Sequence, residues 1–202
     1  MRIAMLTPTD GGEVAEYARR MIAGLEARGD CEVEIVPILS GRQSRESYLR
    51  QGEICNAPEI DAAHIQYRPE FWGQIAPGNS AFWELRYALK KPVVLTAHTV
   101  ASLEELLETA ARRSPFSSLQ KQLWRRNAAF RDSLEIAPFA TALTLVETRE
   151  DRETLIARGA KSAYVAVLPD AENPLRYRAL RNVYKRAIEL FNDGPHHPQI
   201  TV

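Results

Sequence analysis

Residues 2–37 spell out a β-α-β unit, and no other feature of the sequence constrains the fold as strongly. Residues 2–7 are a short apolar run ending in the turn cluster Thr7-Pro8-Thr9-Asp10-Gly11-Gly12. Over 13–28 the apolar residues Val14, Tyr17, Ala18, Met21, Ile22 and Leu25 recur at offsets of three and four, which is one face of a helix. Gly29, a residue free to take positive φ, ends that helix. Residues 31–37 read as the next strand, with Val33 and Ile35 alternating with polar neighbours. A helix between two such strands makes them parallel, with a right-handed crossover.

The alternation runs on along the chain. Strands are predicted at 61–67, 92–97, 140–146 and 163–168, and helices at 80–89, 102–111, 117–134, 150–158 and 175–191. Pro115 lies near the start of the second of the two central helices, and Gly159 stops the one after 150. Residues 40–58 are weakly patterned, with a short helix predicted over 44–51. Internal repeats, low-complexity blocks and linkers are absent from the sequence. The prediction is one doubly wound, Rossmann-like α/β domain of about six mainly parallel strands with helices on both faces. Within it, 1–170 form the body, 171–192 a terminal helix packing back on it, and 193–202 a polar tail.

Composition narrows the function classes. At 202 residues, a chain buries about 70% of its unfolded surface, so its core needs no disulfide or metal. Lys plus Arg number 26 and Asp plus Glu number 26, which removes the global electrostatic case for nucleic acid. Cys31 and Cys55 cannot make a disulfide framework or a four-ligand zinc site, and His196-His197 has no companion ligands at useful spacing. Neither a signal peptide nor a membrane-spanning apolar stretch is present, so a cytoplasmic protein is expected. No metal and no cofactor is implied.

Ligands of open α/β sheets sit beyond the carboxyl ends of the strands, so the residues just after each strand are the candidates. Gly11 and Gly12 let backbone amides approach a phosphate or a sugar hydroxyl at the start of a helix, although a plain tight turn accounts for them equally. There is no G-x-G-x-x-G and no P-loop. His64 and Gln66 share one face of their strand, next to Tyr67 and Arg68; a core histidine paired to a neighbour is the commoner reading of such a His. Tyr67, Phe71 and Trp72 suit either a sugar-stacking wall or core packing, with core favoured. His98 follows a very apolar strand directly, where catalytic groups sit, and imidazole titrates near working pH. Glu147 ends another apolar strand, while Thr148 and Asp151 after it have the character of a capping box. From Arg112 to Arg131 the sequence has six basic residues and no acidic one, interleaved with Phe116, Trp124 and Phe130. This stretch fits peripheral contact with an anionic membrane, a solvated face or a partner-docking face.

Taken in order, these strand ends resemble the N-terminal lobe of the retaining glycosyltransferases of family 4, which have the two-lobed GT-B architecture. The resemblance lies in the Gly-Gly loop and helix of 7–28, the Ala27-Arg28-Gly29 turn, the strand Asp61-Ala62-Ala63-His64, the strand ending at His98, and the closing segments 144–159 and 163–169. It implies that Gly11 and Gly12 approach the donor and that His98 acts on the transferred sugar or its leaving group. His64, Gln66, Tyr67, Arg68 and Glu147 would be sugar or acceptor contacts. After Val167-Leu168-Pro169 the sequence departs from the family and passes into one helix. The family's pair of glutamates eight residues apart has no counterpart, since Glu26 and Glu34 lie on the first helix and second strand. The implied function is that of an acceptor-side half, acting in transfer from a nucleotide sugar with a second chain that supplies the nucleotide-binding lobe. The alternatives are a non-catalytic scaffold or regulatory partner, and a small α/β phosphate- or sugar-binding domain. An apolar face around Tyr67, Phe71 and Trp72 would also favour self-association.

Overall fold

The computed structural model describes residues 1–29, 31–38, 45–68, 71, 80–100, 142–170, 173 and 175–193. Six strands, β1 (Arg2–Pro8), β2 (Glu32–Ile38), β3 (Ala62–Tyr67), β4 (Val93–Ala97), β5 (Leu143–Val146) and β6 (Val165–Val167), form one sheet. Its order is β2-β1-β3-β4-β5-β6 and every pairing is parallel. The helices among the described residues are α1 (Glu13–Glu26), α2 (Arg45–Cys55), α3 (Ser80–Ala88), α4 (Arg149–Ala157) and α5 (Arg176–Asp193). This is the doubly wound Rossmann-like α/β architecture. The helices predicted over 102–111 and 117–134, the basic stretch 112–131, Trp72 and the tail beyond Asp193 lie outside the described residues.

Two apolar layers hold the sheet. On one face, Met21, Ile22 and Leu25 of α1 and Leu180, Tyr184 and Ala187 of α5 pack on Ile3, Met5, Ala62, Val94 and Leu145. On the other, Tyr48 and Cys55 of α2, Phe82 and Leu85 of α3 and Leu155 of α4 pack on Leu6, Ile65, Leu95 and Val146. Alternation along each central strand sends successive side chains to opposite layers. The central strands are therefore apolar almost throughout, as buried parallel strands must be. Helices α1 and α5 meet where Gly24 offers no side chain: a Cβ there would run into the ring of Tyr177.

Local differences from the sequence reading have local causes. Helix α2 runs to Cys55 rather than stopping near 51, because its buried face contacts α3 and because Gln51 Nε2 donates to the Pro37 carbonyl at 2.7 Å. Residues Ser162–Tyr164 form a 3₁₀ turn, which shortens β6 to three residues. Tyr67 is 9% exposed and packs edge-on against Phe82 at 5.2 Å, with Phe71 packed on the same core. Among the described residues of the expected apolar face, Tyr67 is thus covered, since its strand turns that ring under α3, while Trp72 lies outside the described residues. No helix among the described residues is long and apolar enough to cross a membrane.

Candidate functional site

The chain runs from β1 through α1 to β2 on one side and from β3 through α3 to β4 on the other. Strand order thus reverses between β1 and β3, which is where doubly wound sheets open a crevice at their carboxyl edge. The groups gathered there come from neighbouring strand ends. Gly11 and Gly12 follow β1 at φ 98° and 86°, a conformation that favours glycine, and a Cβ at either would meet nothing within 4 Å. That loop is open. Asp10 and Glu13 flank it in the sequence, and Glu16 in the first turn of α1 pairs with Arg19 and Arg20.

Gln66 near the end of β3 is fully buried, and its side-chain oxygen accepts a hydrogen bond from His98 Nε2 at 2.7 Å. The His98 backbone is fixed as well, its N–H donating to the Tyr67 carbonyl at 3.1 Å. Tyr17 of α1 meets the His98 ring edge-to-face with centroids 4.8 Å apart. Burial first, and then the positive charge of Arg68, lower His98 from 6.5 to about 4. The imidazole is neutral at physiological pH.

Tyr17 links His98 to a second group. Its hydroxyl accepts from Arg176 Nη2 at 2.6 Å and also bonds the Glu147 carboxylate. Arg176 is 5% exposed; its Nη1 donates to the Pro169 carbonyl at 2.6 Å and its Nη2 lies 3.6 Å from Glu147. Burial pushes the Tyr17 phenol well above its usual range, so it stays protonated. Thr148 caps α4, its hydroxyl accepting from the Asp151 N–H at 3.0 Å, which leaves Glu147 as the polar group at the end of β5.

The structure thus brings together Gln66, His98 and Glu147 and sets Arg68 within electrostatic reach of His98. Two expected contacts are elsewhere. Tyr67 faces the opposite layer. His64 is fully buried, with Nδ1 2.6 Å from the Tyr184 hydroxyl and Nε2 2.7 Å from Thr96 Oγ1, so both ring nitrogens are used inside the core. Burial lowers His64 to about 3, with His98 a smaller cause. Sequence reasoning missed Tyr17 and Arg176. Tyr17 was the one hydroxyl on the apolar face of α1, and Arg176 stands at the first position of the buried stripe Arg176, Leu180, Tyr184 and Ala187. Both signals were in the periodicity.

Among the described residues no group of three or more His, Cys, Asp or Glu is placed to hold a metal ion. The chain matches no protein-family model and no curated protein sequence.

Proposed function

We propose that this domain binds a sugar at the carboxyl edge of its sheet and acts as the acceptor-side lobe of a family 4-like glycosyl transfer from a nucleotide sugar. The observation that carries the reading is the convergence of Gln66, His98, Tyr17, Arg176 and Glu147, with Tyr17 on the helix that the open Gly11–Gly12 loop begins. A neutral imidazole exchanges hydrogen bonds with hydroxyls, and the half-buried ring of Tyr17 beside it gives a sugar an apolar face. In this reading His98 contacts the sugar directly, and the glycine loop admits it at close range.

A diphosphate leaving group needs positive charge to stabilise it. Beside the loop the sequence places Asp10 and Glu13, and of the basic side chains Arg68 stands within electrostatic reach of His98. Arg176 is already engaged by Glu147, Tyr17 and the Pro169 carbonyl. In this reading the nucleotide is held by a second lobe, supplied by a partner. A second reading, a non-catalytic scaffold, is favoured by one observation: the buried polar groups of Arg176 and Tyr17 satisfy each other within the fold. For the basic stretch 112–131 we propose peripheral contact with an anionic membrane, tested by salt-sensitive sedimentation with anionic vesicles.

Calorimetric titration with a panel of monosaccharides and sugar nucleotides separates the two readings of the cluster. Binding that depends on the sugar, and that His98→Ala weakens at least tenfold in a folded protein, supports the first. No binding to any member at millimolar concentration leaves the scaffold reading.

A further inference from the structure

We infer that Gln66 is a positioning residue that holds His98 as its Nε2–H tautomer, leaving Nδ1 as the ring's acceptor for a ligand hydroxyl. The inference deepens the proposed sugar site and rests on it for the identity of that ligand. An amide has two ends of opposite character, and its neighbours decide which faces which way. Gln66 lies between His98 Nε2, 2.7 Å away, and two methionine sulfurs, Met5 Sδ at 2.9 Å and Met21 Sδ at 3.8 Å. A thioether sulfur accepts hydrogen bonds and donates none. The NH₂ end of Gln66 therefore faces the sulfurs, because the reverse orientation would set oxygen lone pairs against sulfur lone pairs in a site closed to water. Its carbonyl oxygen then faces His98, and only a protonated Nε2 can satisfy it.

The consequence for recognition follows from proton counting. A neutral imidazole carries one N–H, and Gln66 takes it, so the lone pair resides on Nδ1. Among the described residues no side chain hydrogen-bonds that atom. A sugar hydroxyl has a proton to give to it, whereas an ionised phosphate oxygen has none. His98 in this state selects a hydroxyl over a phosphate. Met5 on β1 and Met21 on α1, which packing alone would class as core filler, thus orient the amide that orients the histidine.

Long-range ¹H–¹⁵N spectra of the ¹⁵N-histidine-labelled chain at neutral pH test this directly, the His98 ring being assigned by its loss in His98→Gln. The expected result is a pyridine-type Nδ1 and a pyrrole-type Nε2. The reversed pattern, or two pyrrole-type nitrogens, overturns the inference. In Gln66→Leu the ring is expected to move to a mixture of tautomers, and an unchanged pure Nε2–H form overturns the positioning role. Should that variant fail to fold, Met5→Leu combined with Met21→Leu removes both sulfur acceptors, and the same mixture is expected; an unchanged pattern there is equally contrary. These signals need no bound ligand. A chain with the expected tautomer that binds no sugar would defeat the proposed function and leave the assignment of Gln66 intact.

Discussion

Strands β3 and β4 carry the same hydrogen bond twice, two residues apart, and the two copies have different surroundings. His64 pairs in register with Val94 and bonds Thr96, two residues further on; Gln66 pairs with Thr96 and bonds His98, again two residues further on. Both bonds are 2.7 Å long and cross the same pair of strands on the same diagonal. The inner one ends on Tyr184 of α5 and closes the core. The outer one lies past the last residue of β4, where the packed layer gives way to loops. A displacement of two residues along a strand therefore separates a histidine sealed in the core from one left half-buried at the carboxyl edge of the sheet. Residue type says little about this. Position relative to the strand's carboxyl end says most of it.

The contrast can be broken by mutation. His64→Ala removes a fully buried ring and strands two hydroxyls, so it is expected to cost about 3–5 kcal/mol by urea unfolding, against about 1–2 kcal/mol for His98→Ala. Equal costs would make His98 a second core residue. Arg176→Met deletes the hydrogen bonds to Pro169 and Tyr17 and the pairing with Glu147. Its expected cost is about 2–3 kcal/mol, with Tyr17 losing its fixed contact to the His98 ring.

Acid should act on both histidines, unequally. Each is lowered from 6.5, so the unfolded chain binds protons that the fold excludes. Their contribution to stability is complete above about 6.5 and is lost as pH falls towards about 4 for His98 and about 3 for His64. Unfolding midpoints followed against pH should show this decline, with His98→Ala flattening its upper part. Gly24→Ala forces a methyl into Tyr177 and should cost about 1–3 kcal/mol by loosening α5 from α1. Gly12→Ala meets no neighbour and should cost only about 1 kcal/mol, through positive φ alone, which a thermal melt would resolve.

Much of the fold is written in periodicity. The β-α-β alternation predicts every strand of the sheet, because buried parallel strands are apolar runs and their connecting helices repeat at three and four. The bounds of β6 are less legible, since a 3₁₀ turn at Ser162–Tyr164 depends on tertiary closure rather than pattern. For the site, strand-end position singles out His98, Gln66 and Glu147, which the fold connects through Tyr17. His64 has the same residue type on the same face, and only the third dimension, where Tyr184 arrives from α5, shows that it is sealed. Arg176 also needs that dimension. Its place in a buried stripe says that it is covered but not that Glu147, Tyr17 and Pro169 cover it.

We propose that the outer histidine meets a ligand and the inner one does not. The most direct test is to titrate the labelled chain with the monosaccharide and sugar-nucleotide panel while recording the ring signals of His64 and His98 together. Saturable shifts at His98 with His64 unmoved are the predicted result. A panel that moves neither ring, or moves His64 as far as His98, would contradict it.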